Sequence, residues 1–285
     1  MNPLFLSSRK NASKIFALVL MQLCLLSATG AIAQGDLLVT PKRVVFEGSK
    51  RSEELNLANI GKDTATFVIS FIQIRMKNDG AFEKISEPDS GQLFADKNIR
   101  FFPRTVTLAP NEAQTVKVQI TKTAQLAAGE YRSHLYFRAV PKEKPLGEKQ
   151  PEKDSSISVR LVPVFGISMP VIIRVGESTA DVGFSGTSLE LTKDQAPSLK
   201  LTLNRTGNMS VYGDLSVNHI SSEGKTTPIG SVKGLAVYTP NASRQFRLLL
   251  NNTAGIDYKS GKLHIVYSDQ SAKPAKLAEG EIVLH

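Results

Sequence analysis

Apolar residues recur two positions apart along most of this 285-residue chain: Leu37 and Val39, Leu55 and Leu57, Phe67, Ile69 and Phe71, then Val116, Val118 and Ile120. Successive side chains of an extended strand point to opposite faces, so this period marks half-buried strands. The runs are rich in Val, Ile, Thr and Phe, and turn signals such as Asn78-Asp79-Gly80 and Ala109-Pro110-Asn111-Glu112 separate them. No segment holds an i, i+3, i+4, i+7 apolar stripe over three turns, and the stretch Leu126-Ala127-Ala128 has room for one helical turn. Many short strands without intervening helices predict an all-β protein built of β-sandwiches.

The N-terminus breaks the pattern. Arg9, Lys10 and Lys14 precede the apolar run Ile15 to Leu26, and Ala31-Ile32-Ala33 forms a small-x-small site. That order predicts a signal peptide over residues 1–33, cleaved after Ala33, and hence secretion into an oxidising compartment. As a helix the run would extend about 18 Å, short of the roughly 30 Å a membrane anchor needs, so no stable membrane insertion is expected. Cleavage would remove Cys24, leaving no disulfide. The 35 Lys and Arg less those three cations leave 32 against 26 Asp and Glu, a net +6. This surplus forms no single basic run, so nucleic-acid binding is not expected.

Two boundaries stand out. Residues 141–155 (PKEKPLGEKQPEKDS) are dense in Lys, Glu and Pro, which predicts a mobile solvated loop between two strands. Near Gly176-Glu177-Ser178 a long apolar segment ends and a more polar strand pattern begins. The expected organisation is therefore two immunoglobulin-like domains, 35–176 and 177–285. Between loop and boundary, ISVRLVPVFGISMPVIIRV first alternates through Ile157, Val159 and Leu161 and then turns almost continuously apolar. It reads either as an ordinary buried strand or as an edge strand displayed for another polypeptide.

Equipment for catalysis is sparse. The chain has no HExxH, no Gly-x-Ser-x-Gly and no phosphate-binding glycine loop. His134, His219, His264 and His285 have no metal-ligand spacing and read as surface or strand histidines, so neither an enzyme nor a cofactor is expected. With no Trp and six scattered Tyr, a sugar-binding module is poorly supported. In the segment Asn204 to Gly213 (NRTGNMSVYG) the Asn-Arg-Thr-Gly-Asn core reads as a strand end and tight turn, with Gly207 and Asn208 suited to positive φ, and the segment alternatively reads as an interdomain or usher contact.

Three stretches carry a resemblance: Pro41 to Gly48 followed by Leu55-x-Leu57-x-Asn59; Phe102-Pro103-Arg104 through Pro110-Asn111-x-x-Gln114-x-Val116-Lys117-Val118; and Gly129 to Pro141 (GEYRSHLYFRAVP). Their order and spacing resemble the PapD-type periplasmic pilus chaperones over most of residues 37–175, and much more weakly beyond 177. The resemblance implies two immunoglobulin-like domains in an L shape. It also implies donor-strand complementation: a strand over about 156–166 inserts Ile157, Val159 and Leu161, with Phe165 further along, into the open groove of an incomplete subunit. Implied partners are pilus or fimbrial subunits and an outer-membrane usher, and an exposed donor strand also favours self-association of the free protein.

The family anchors a subunit's C-terminal carboxylate with an Arg and a Lys. The Arg falls on Arg43, which from local sequence alone reads as a structural or solvated strand arginine and which the resemblance makes the anchor. The Lys falls on Gly166-Ile167-Ser168, which carry no charge. Arg132 is the expected substitute, with Arg174 and Arg160 behind it. The alternative function is a secreted structural β-sandwich protein or a pilus subunit.

Overall fold

The computed structural model describes residues 37–141, 164–191, 196–251 and 256–284. Their seventeen strands are β1 (Leu37–Thr40), β2 (Val44–Phe46), β3 (Ser52–Asn59), β4 (Ala65–Met76), β5 (Phe82–Ile85), β6 (Ile99–Phe102), β7 (Thr105–Leu108), β8 (Ala113–Ile120), β9 (Gly129–Ala139), β10 (Gly166–Val175), β11 (Asp181–Leu191), β12 (Pro197–Thr206), β13 (Val211–Ile220), β14 (Thr226–Val237), β15 (Ser243–Leu249), β16 (Lys262–Ser268) and β17 (Lys276–Val283). No helix among the described residues is long and apolar enough to cross a membrane.

Four sheets form two sandwiches. In the first, β1-β3-β8-β6 faces β2-β10-β9-β4-β5, with β7 also on β4. In the second, β11-β12-β15 faces β14-β13-β16-β17. The period of two does the folding: Leu55, Leu57, Phe67, Ile69, Val116 and Val118 all turn inward and are buried. Each such side chain contributes about 1.5–3 kcal/mol of transfer free energy. Leu199, Leu201, Leu203, Leu215, Val217 and Ile265 do the same for the second core.

The first strand is divided between both sheets of its sandwich. β1 pairs antiparallel with β3, the chain crosses over at Pro41-Lys42-Arg43, and β2 pairs parallel with β10 through Val44↔Val171 to Phe46↔Ile173. β9 flanks β10 along its whole length, from Gly166↔Arg138 to Val175↔Gly129. β2 covers only Val171 to Ile173. Among the described residues, the opposite edge of Gly166 to Pro170 therefore has no strand partner.

Two local expectations shift. The helical turn is a short 3₁₀ turn at Thr123–Gln125, just ahead of the expected place. Leu126 is already extended (φ −76°, ψ 132°) and packs on the first core as the chain enters β9. In the 204–208 turn only Gly207 takes a positive φ, +80°, where a Cβ would lie 2.1 Å from the Thr179 carbonyl oxygen. Asn208 instead spends its side chain on Thr179 N–H (2.9 Å) and the Glu177 carbonyl (2.9 Å). Arg205 ties the turn from beneath, its Nη1 donating to the carbonyls of Gly207 (2.8 Å) and Met209 (2.9 Å).

Candidate functional site: a basic cleft between the sandwiches

β9 alternates Glu130, Arg132 and His134 on one face with Leu135, Phe137 and Ala139 on the other. The apolar set enters the first core. A polar set on a half-buried strand ordinarily meets water, yet here all three are buried, at 3% exposure each. The second sandwich covers them. Ile172 of β10, opposite Arg132, packs with Met76, Ala236 and Tyr238 in a third apolar cluster that joins the two sandwiches.

Glu130 anchors this junction. It accepts from Ser210 N–H (3.1 Å), from the Ser210 hydroxyl and from Arg174 Nε (3.1 Å), and Arg174 Nη2 donates onward to the Ser210 carbonyl (2.9 Å). The β4–β5 hairpin tip adds a second tie: Gln245 N–H donates to the Asn78 carbonyl (2.6 Å) and Asn241 Nδ2 to the Met76 carbonyl (2.7 Å).

Beside these ties lies a cleft of about 240 Å³. The first sandwich contributes Lys42 and Arg43 from the crossover, His134, Phe82, and Ser168 and Pro170 of β10. The second contributes Tyr212, Ala236, Tyr238 and Arg244. The lining holds three permanent cations and no carboxylate. Arg43 precedes Val44 and so falls level with Pro170 by the β2–β10 register. Its guanidinium stacks 3.8 Å above the Tyr212 ring.

The hydrogen-bond inventory points at the same place. Of the eight buried side-chain nitrogen and oxygen atoms lacking a partner among the described residues, five belong to Arg43 (Nε), Arg132 (Nε and Nη1), His134 (Nδ1) and Arg244 (Nε). Buried polar groups are ordinarily satisfied, and leaving one unmade costs about 1–3 kcal/mol. Burial pushes the Arg132 and Arg244 guanidinium groups below their ordinary pKa and raises the Tyr238 hydroxyl. The His134 imidazole is held down to about 3 by burial first and by the nearby Arg132 charge second, so it is neutral at physiological pH. Unpaired donors, excess positive charge and no internal acid suit this cleft to an anion with several acceptor lone pairs.

The expected site residues separate. Arg43 lines the cleft, with Lys42 beside it. Arg132 lies behind the lining, its guanidinium 4.4 Å from the Tyr238 ring centroid and its Nη2 donating to the Thr239 carbonyl (3.2 Å). Arg174 is committed to Glu130 and Ser210. Ile157, Val159, Leu161 and Arg160, and nearly all of the 141–155 loop, lie outside the described residues. Phe165 is 48% exposed and lines a smaller apolar pocket of about 130 Å³ with Leu37, Phe67, Phe137 and Ile167. Arg244 and Tyr238 were not expected at all, because nothing in their local sequence marks them, and Tyr212 belongs to the 204–213 segment without being picked out within it. No cluster of three or more His, Cys, Asp or Glu capable of holding a metal occurs among the described residues.

No family model and no curated protein matches this chain. Solved structures similar to it include the CupB2 chaperone of Pseudomonas aeruginosa, 13% identical, covering 87% of this chain and 100% of that one, with a TM-score of 0.43. The E. coli chaperone DraB is 12% identical, with 87% and 96% covered and a TM-score of 0.41. A chain of the Salmonella enterica SafA pilin–SafB chaperone complex is 15% identical, with 87% and 96% covered and a TM-score of 0.41.

Proposed function

We propose that this protein is a periplasmic chaperone of the PapD type. It holds an incomplete β-sandwich subunit of a pilus or fimbria by strand donation, clamps the subunit's C-terminal carboxylate in the interdomain cleft, and passes the subunit to an outer-membrane usher. The chaperone acts stoichiometrically, without catalysis or cofactor. The observation that carries the reading is the position of Arg43. It lines a basic cleft beside the uncovered edge of β10, and its buried Nε has no partner among the described residues.

The two features fit one ligand. A polypeptide pairing along that edge would satisfy the free backbone groups of Gly166 to Met169. Its terminal carboxylate would then reach the cationic cleft at the level of Pro170. Bidentate capture by a guanidinium in a partly dry site outweighs a surface ion pair. Ile157, Val159 and Leu161 alternate in sequence in phase with Phe165 and Ile167, which supports their role as the inserted side chains. The domain division near residue 176 follows from the same reading, each core drawing its residues from one side of that point.

The test is a periplasmic pull-down with tagged protein, co-expressed with neighbouring secreted subunits. Wild type should retain a small β-rich subunit at one-to-one ratio, whereas folded Arg43→Ala and the double variant Val159→Asp, Leu161→Asp should lose it. Equal retention by the variants, or none by folded wild type, overturns the mechanism.

A further inference from the structure

A single guanidinium satisfies at most half of a carboxylate's acceptor sites, so a buried carboxylate needs a second donor group. The strand that flanks the cleft offers only Ser168 and Pro170, neither of them charged. Among the remaining cations, Lys42 is exposed, Arg132 sits behind Tyr238, and Arg174 is bonded to Glu130. Arg244 remains.

Arg244 comes from β15 of the second sandwich and lines the cleft shared with Arg43. Its Nη1 donates to the Ala236 carbonyl at 2.7 Å, which fixes one end of the guanidinium. Its Nε is buried without a partner. Exposed Asp79 attracts it electrostatically, but no ion pair forms between them within 4 Å. Burial works against its charge, and the lining supplies no acid to compensate. The guanidinium is thus held at its Nη1 end by the Ala236 carbonyl and packed along Nε and Nη2 against Gly80, at the wall of a cleft with no acid to balance its charge.

We propose that Arg244 is the second carboxylate-binding cation of this protein, so that the carboxyl terminus of a bound polypeptide is held between an arginine of each sandwich. This rests on the carboxylate-anchor reading above and extends it to the second domain. The bound carboxylate becomes a bridge: Arg43 and Arg244, with no ion pair of their own among the described residues, acquire a shared counter-ion.

The probe is N-acetylphenylalanine against its uncharged amide, each titrated into full-length mature protein and followed by NMR. Wild type should bind the acid about tenfold or more tightly than the amide, the size of one charge-assisted hydrogen bond. Arg244→Gln, which removes the charge and keeps a polar side chain, should lose most of that preference. Arg244→Lys should keep part of it, and Arg247→Met, an exposed arginine of the same strand, should keep all of it. If Arg43→Gln loses the preference while Arg244→Gln retains it, the anchor stands and the role of Arg244 is overturned. If wild type shows no preference for the acid, anchor and inference fall together. Chemical shifts of the second core residues report whether Arg244→Gln remains folded; should it unfold, Arg244→Lys against Arg247→Met decides, and equal preference in those two overturns the proposal.

Discussion

The guanidinium of Arg43 rests 3.8 Å above the ring of Tyr212, so a cation of the first sandwich is positioned by an aromatic side chain of the second. A cation–π contact of this kind is worth about 0.5–2 kcal/mol. Tyr212→Ala should therefore weaken subunit retention roughly three- to thirtyfold by freeing Arg43. Tyr212→Phe, which keeps the ring, should behave as wild type. Equilibrium binding of the subunit captured by the wild-type protein measures both; equal losses in the two variants would show that the hydroxyl, rather than the stack, matters.

His134 makes stability pH-dependent. Its folded-state pKa of about 3 lies below the ordinary histidine value, so the unfolded chain binds a proton that the folded protein refuses. Stability from this group is complete above the unfolded value and falls as pH drops toward 3, by on the order of 1 kcal/mol per unit. Arg132 on its own strand, Pro170 and Ile72 on the flanking strands and Phe82 from the hairpin surround it, and the cleft it lines adds the cations Lys42, Arg43 and Arg244; no carboxylate lines that cleft, and the Arg132 charge disfavours protonation. Urea unfolding at pH 4, 5, 6 and 7 should show a shallower acid loss for His134→Gln than for wild type.

Glu130 is the buried hub of the interdomain contact, and removing one partner of such a pair costs about 3–5 kcal/mol. Glu130→Ala leaves Arg174 Nε and both Ser210 donors without their acceptor, while Arg174 keeps the Ser210 carbonyl and Glu47. The expected result in calorimetry is a lower transition that separates into two, because the sandwiches lose their strongest polar link. A single unchanged transition would show that the apolar cluster around Ile172 couples them unaided.

Gly80 has φ +85°, and a Cβ there would lie 2.5 Å from the Arg244 guanidinium. Gly80→Ala is therefore strained by about 1 kcal/mol or more in the backbone and displaces Arg244. Its preference for N-acetylphenylalanine over the amide should shrink, as for Arg244→Gln. Retention of the full preference would show that the guanidinium moves aside without loss.

Alternation at Leu55, Leu57, Val116 and Val118 was enough to identify strands and their buried faces, because that periodicity is local. The site was legible only in fragments. Arg43 stood out through its resemblance to a family motif. Arg132 stood out only as a stand-in for the family's missing Lys, and Glu130 and His134 looked like the wet face of an ordinary strand, since a period of two cannot distinguish water from a second domain. Arg244 and Tyr212 are brought to the cleft by the packing of one sandwich on the other, and no local pattern encodes that.

The clasp between the Gln245 amide and the Asn78 carbonyl is made of main-chain atoms, which every residue possesses save the amide that proline lacks. Substitutions at either position can come and go while the clasp persists. The spacing of the cleft walls is thus buffered against mutational drift at the hairpin tip, leaving those side chains free to diversify.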